Sequence, residues 1–130
     1  MGSDCLTTDP ALRAYTDRSK HSGLVGFGAS ITLDRFQWPT FVSGHLGPYS
    51  TVFVAEVLAI KRAAEVVQDD LVHHGRPEAT KLKIFSDSQA ALKALVSNQI
   101  TSNYVLSNIN ALYSLSNYIT VELFWIKAHV

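Results

Sequence analysis

Three acidic residues stand where the surrounding pattern is apolar or extended. Asp17 lies in the middle of a strand-like run, Glu56 on the helical stripe Val52, Ala59, Ile60 and Ala63, and Asp87 just past the run Lys81 to Phe85. Carboxylates brought together repel one another unless a cation neutralises them. Hard oxygen ligands of this kind suit Mg²⁺ or Mn²⁺ rather than zinc. A pair of such ions about 4 Å apart activates a water and stabilises the leaving oxygen in phosphodiester cleavage. Each residue also has a purely structural reading. Asp87, in Ser86-Asp87-Ser88, suits a helix N-cap; Glu56 suits a pair with an arginine at the core edge; Asp17 suits a turn or strand end. Only the convergence of all three favours chemistry, and convergence is a property of the fold.

The elements that must position them are legible from periodicity. Leu12 to Ser19, Leu24 to Leu33 and Trp38 to Leu46 read as strands, with Lys20-His21-Ser22-Gly23 and Asp34-Arg35 as hairpin turns between them. From Thr51 the period becomes helical, with Val52, Ala55, Ala59, Ala63 and Val66 recurring every three to four residues until Gly75 and Pro77. Lys81 to Phe85 is a short strand and Ser88 to Val96 a short helix. Thr101 or Ser102 caps a third helix, and Ile119 to Ile126 alternates as a last strand. Short turns make the first three strands antiparallel. The helical crossovers that follow favour parallel pairing. The expected fold is α/β: a mixed five-stranded sheet, three antiparallel strands then two parallel, with flanking helices. Ligands of such sheets bind beyond the carboxyl ends of strands where the connections reverse. Here that point falls between the first and fourth strands, which carry Asp17 and Asp87, while the helix between them carries Glu56.

Composition bounds the rest. The 130 residues carry eleven basic and eleven acidic side chains, which excludes a strongly basic nucleic-acid arm and an acidic tail. Apolar residues at 47% suffice for one core, so residues 12–130 are expected to form one domain after a tail of residues 1–11. The lone Cys5 excludes a disulfide framework or a Cys-rich zinc module. No apolar run approaches the roughly 18 residues of a membrane span, and no secretory signal pattern opens the chain, so an intracellular soluble domain, or a piece of a larger protein, is expected. Asp69 with His73, and Asp70 with His74, are spaced for a helix face; histidines at the negative end of a helix dipole explain them better than a metal pair. Gly23, Gly26 and Gly28 precede no helix and so make no phosphate loop.

Five blocks occur in order: Ala14-Tyr15-Thr16-Asp17-Arg18-Ser19-Lys20, Val25-Gly26-Phe27-Gly28, Phe53-Val54-Ala55-Glu56-Val57-Leu58-Ala59-Ile60, Ile84-Phe85-Ser86-Asp87-Ser88-Gln89-Ala90-Ala91-Leu92-Lys93-Ala94-Leu95, and Phe124-Trp125-Ile126-Lys127-Ala128-His129. In these blocks the chain resembles the ribonuclease H family, most closely the ribonuclease H domains of non-LTR retrotransposon reverse transcriptases. The resemblance covers about residues 12–130. It implies an endonuclease that cleaves the RNA strand of an RNA–DNA hybrid with two divalent ions, Mg²⁺ or Mn²⁺, leaving 3′-hydroxyl and 5′-phosphate ends. It implies Asp17, Glu56 and Asp87 as metal ligands and His129 as the histidine that assists water delivery or product release. Arg18, Ser19, Ser88 and Gln89 are the expected substrate contacts, and a larger reverse transcriptase polypeptide is the expected setting.

Two departures from the family pattern shape the expectation. Arg18 stands where glycine usually follows the first aspartate, and the sequence ends at Val130, before the family's fourth acidic ligand and final helix. Without that C-terminal helix, one sheet face is expected to expose an apolar patch that drives self-association. From Ala94 to Val121 the chain carries no charged residue, so phosphate contacts there are few, although Arg18, Lys20, Lys93 and Lys127 suit a modest groove. The rival expectation is a hybrid-binding or structural module of the same fold with weakened or absent catalysis.

Overall fold

Alternation decides the strands. Leu12, Ala14 and Thr16 are buried, whereas the intervening Tyr15 and Asp17 are exposed. Leu82, Ile84 and Ser86 are buried between half-buried Lys81, Lys83 and Phe85 in the same way. The computed structural model describes residues 11–21, 24–32, 40–46, 51–75, 81–97 and 102–127. Their elements are β1 (Ala11–His21), β2 (Leu24–Thr32), β3 (Thr40–His45), α1 (Val52–His74), β4 (Lys81–Ser86), α2 (Gln89–Val96), α3 (Asn103–Ser116) and β5 (Thr120–Trp125).

Helix ends follow from local hydrogen bonding. The Thr51 hydroxyl accepts from the Val54 N–H at 3.2 Å and starts α1. Gly75 ends it with φ of 83°, a conformation open to glycine at little cost, while its N–H reaches the Leu71 carbonyl. The Ser102 hydroxyl accepts from the Tyr104 and Val105 N–H groups at the start of α3.

The strand order is β3-β2-β1-β4-β5. β1–β2 and β2–β3 are antiparallel, and β1–β4 and β4–β5 are parallel, as the connection lengths require. The β1–β2 ladder extends to His21↔Leu24, so Lys20 and His21 belong to the strand rather than to the expected turn. β3 is described from Thr40; Trp38 and the Asp34-Arg35 turn lie outside the described residues.

All three helices join one core on one face of the sheet. Leu12, Ile31, Leu82 and Ile84 from the strands meet Val57, Ile60 and Val67 of α1, Leu95 of α2, and Val105 and Leu115 of α3. Burying a Leu or Ile side chain is worth about 1.5–3 kcal/mol, so this face carries most of the stabilisation. The opposite face holds the other parity set, and no described helix covers it.

Candidate active site

Register brings two of the three acids together. The parallel β1–β4 ladder runs to Tyr15↔Phe85; Asp17 and Asp87 each lie two residues beyond that pair, and both line one cleft. The strand ends are tied at that point. The Thr16 hydroxyl donates to the Phe85 carbonyl at 3.1 Å, the Ile126 N–H to the Ser86 carbonyl at 2.9 Å, and the Trp125 indole N–H to the Asp87 carbonyl at 3.3 Å. A cleft of about 200 Å³ opens there, lined by Tyr15, Thr16, Asp17, Ser30, Asp87, Ile126 and Lys127. It lies at the switch point between the first and fourth strands, where such sheets take their ligands. A larger hollow of about 610 Å³ between α1 and α3 is lined by Arg62, Glu65, Gln68 and Ser114 among others. Those four are already paired, Arg62 with Glu65 at 3.0 Å and Gln68 with Ser114 at 2.9 Å, and it gathers no convergent chemistry.

Asp87 is not the helix cap. The cap of α2 is Ser88, whose hydroxyl accepts from the Ala91 N–H at 3.0 Å, and the Ser86 hydroxyl accepts from the Ser88 N–H at 3.1 Å. The Asp87 side chain, half-buried, lines the cleft instead. The same bonds locate Ser88, an expected substrate contact: it is 6% exposed and turned to its own helix. Gln89 is exposed at the first position of α2.

Glu56 arrives by a different route. β3 runs parallel to β1, so α1 begins at the end of the sheet where Asp17 and Asp87 lie. Glu56 sits one turn before Ile60 on the core-facing stripe and is half-buried. However, α1 covers the core face, whereas Asp17 and Asp87 lie in the open-face parity set. Glu56 is accordingly not among the described residues that line the cleft. Among the described residues, no three carboxylate, imidazole or thiol groups come close enough to hold a metal ion. The side chains of Arg18 and Ser19, and the whole of His129, lie outside the described residues. At the far end of α1, His73 and His74 pair with Asp69 and Asp70 at 3.3 and 3.1 Å, which matches the helix-end reading.

The donors of the cleft suit a hard dication. Mg²⁺ is commonly held by one or two carboxylates, keeps several waters and takes phosphate oxygens. Asp17 and Asp87 supply that pair; the Thr16 hydroxyl already serves the Phe85 carbonyl. A two-ion centre needs further donors beyond the pair.

Three lining residues, Tyr15, Ser30 and Ile126, carry no signal by type. Their signal is register: Ser30 pairs with Tyr15, two residues before Asp17 and on the same parity. The rings of Tyr15, Phe85 and Phe124 stack in a row beside the cleft, with centroids 4.8 and 5.3 Å apart.

No protein-family model matches the sequence, and no curated protein matches it. Solved structures do match in fold. An N-terminal ribonuclease H domain from Mycobacterium tuberculosis is 16% identical with a TM-score of 0.65, covering 90% of this chain and 82% of that one. Ribonuclease H1 from the archaeon Halobacterium salinarum is 16% identical with a TM-score of 0.62, covering 91% and 86%. LC11 ribonuclease H1, solved in complex with an RNA/DNA hybrid, is 18% identical with a TM-score of 0.66, covering 89% and 85%. The chain has the ribonuclease H-like fold.

Proposed function

We propose that the chain is a ribonuclease H that hydrolyses the RNA strand of RNA–DNA hybrids, leaving 3′-hydroxyl and 5′-phosphate ends. Its setting is a reverse transcriptase polypeptide inside the cell. The observation that carries this reading is the pairing of Asp17 and Asp87 in one cleft at the switch point of this fold. Asp17 and Asp87 would hold a divalent ion. Glu56, on the helix that begins at the same sheet end, and His129 would serve a second ion and the departing product. Bound there, Mg²⁺ or Mn²⁺ supplies Lewis-acid activation of water and neutralises charge on the phosphate. The protein orients the reaction. β1 and β4 fix the spacing of the two carboxylates, and the bonds from Trp125 and Ile126 hold the cleft wall against β4. Gln89 and Arg18 would contact the hybrid backbone. Discrimination of RNA from DNA would rest on 2′-hydroxyls and groove shape.

The test is cleavage of an end-labelled RNA–DNA hybrid in Mg²⁺ or Mn²⁺, beside Asp87→Asn. Cleavage by the parent chain and at least a hundredfold less by the variant is expected. No cleavage by the parent in either metal overturns the reading.

A second reading has its own support. Glu56 stands outside the described cleft lining and no charge lies between Ala94 and Val121, so a hybrid-binding module without turnover is the alternative. Hybrid retained without cleavage at high Mn²⁺ identifies it.

A further inference from the structure

Asp87 occupies a junction of one residue. Ser86 ends β4 and Ser88 caps α2, so Asp87 alone lies between strand and helix cap. Peptide groups are planar, which leaves Asp87 two soft dihedrals between two flat plates. The first plate is held by the Ser86 carbonyl, which accepts from the Ile126 N–H at 2.9 Å. The second is held at both edges. The Ser88 N–H donates to the Ser86 hydroxyl at 3.1 Å, and the Asp87 carbonyl accepts from the Trp125 indole N–H at 3.3 Å. With both plates held, the direction of the Asp87 Cα–Cβ bond is set, and with it the arc its carboxylate can reach.

Trp125 is the member of this set whose side chain has least else to do. It stands on β5, an edge strand, beside Ser86 in register, and is 51% exposed. Burial is therefore a small part of what so large a ring contributes. Ile126 acts through its backbone, which any residue but proline supplies. An indole carries a single donor, and here it goes to the backbone of a residue 38 positions earlier that lines the cleft.

We propose that Trp125 is the positioning residue of Asp87: its indole N–H holds the peptide between Asp87 and Ser88 so that the carboxylate is set toward the cleft before an ion arrives. The ion half of this inference rests on the ribonuclease reading; the backbone half does not.

Two variants separate the N–H from the bulk of the ring. Trp125→Phe keeps an aromatic ring and loses the donor. Trp125→His loses the six-membered ring but carries Nε2 at the place of the indole nitrogen, and at pH 8 its imidazole is neutral with one N–H. In the metal-free protein, exchange of the Ser88 amide hydrogen, read against that of buried Ile84 within β4, should be about fivefold faster in Trp125→Phe and close to parental in Trp125→His. Mg²⁺ titrated into the nucleic-acid-free protein and followed by amide chemical shifts should bind about fivefold more weakly to Trp125→Phe and close to parentally to Trp125→His. Cleavage by Trp125→Phe should recover as Mg²⁺ is raised, whereas cleavage by Asp87→Asn should not. A packing role gives the reverse order, with phenylalanine near parental and histidine the poorer. That order, or an unchanged Ser88 exchange ratio in Trp125→Phe, overturns the proposal. Unchanged Mg²⁺ affinity in Trp125→Phe overturns its ion half. A parent chain that binds no Mg²⁺ defeats the ion reading of the cleft instead, and Ser88 exchange still decides what Trp125 holds.

Discussion

Asp87 and Ser88 are neighbours with opposite duties, and the division is set by where β4 stops. Ser86 is the last strand residue and is buried, so Asp87 takes the open parity and Ser88 turns back to the helix. Either residue type caps a helix well, so residue type alone leaves the cap undecided. The structure makes the two separable by measurement. Ser88→Ala removes the bond to the Ala91 N–H and should lower unfolding free energy by about 1 kcal/mol in urea denaturation, with cleavage by the remaining folded protein close to parental. Asp87→Asn should leave stability within about 0.5 kcal/mol, because it is the Asp87 backbone carbonyl that binds Trp125, and should remove cleavage. The reverse pattern would make Asp87 the structural residue. Asp17 and Asp87 were legible as candidates for one cleft because an acid within a strand and an acid just past a strand end, on the two strands that flank a switch point, are uncommon. Ser30 and Tyr15 were not, because their membership of the cleft depends on cross-strand register, which no single strand contains.

At the scale of elements, strand direction was the most legible feature. Short loops and helical crossovers leave few choices of pairing sense, and the sheet β3-β2-β1-β4-β5 has its antiparallel and parallel pairs where they put them. What periodicity could not supply is how α1 and α3 meet. Asn108 lies one position from the apolar stripe of Val105, Ile109 and Leu112 and has a polar type, yet it is 0% exposed. Its amide donates to the Val57 carbonyl at 2.8 Å, whereas its Oδ1 has no partner among the described residues. A buried acceptor left unmade costs about 1–3 kcal/mol. The Val57 carbonyl sits inside α1, where the helical ladder provides its own donor. Asn108→Leu, which keeps the same branched heavy-atom skeleton, should therefore raise the urea midpoint, by about 1 kcal/mol of stability with the m-value unchanged. Asn108→Asp places an unpaired charge in the same site and should destabilise by several kcal/mol. A loss of stability in the leucine variant would mean that the amide bond outweighs the orphaned oxygen.

At the scale of the whole molecule, the open face of the sheet is ordered in rows. Phe41, Ser30, Tyr15, Phe85 and Phe124 form one row across all five strands. Of these Phe41 is 74% exposed and Tyr15 46%. On one side of it lies the row Thr32, Arg13, Lys83 and Glu122. On the other lie Ser43, Gly28 and Asp17, with Asp87 next in line. A two-fold axis along the aromatic row would set Arg13 and Lys83 of one copy over Asp17 and Asp87 of the other, and the reverse, as an isologous contact demands. This complementarity predicts a second copy of the chain as the occupant of the face. Five strands of about six residues span roughly 24 by 20 Å, about 480 Å² per copy in projection. That is small for a stable interface, so the association should be reversible and micromolar or weaker. Sedimentation velocity over a concentration series should show mass rising from 14.3 kDa toward twice that value, less so in 0.5 M NaCl. Phe41→Lys, at an exposed edge position with little to lose in the core, should hold the protein at monomer mass. A parent chain that stays monomeric throughout would mean that the charge rows are not used between copies.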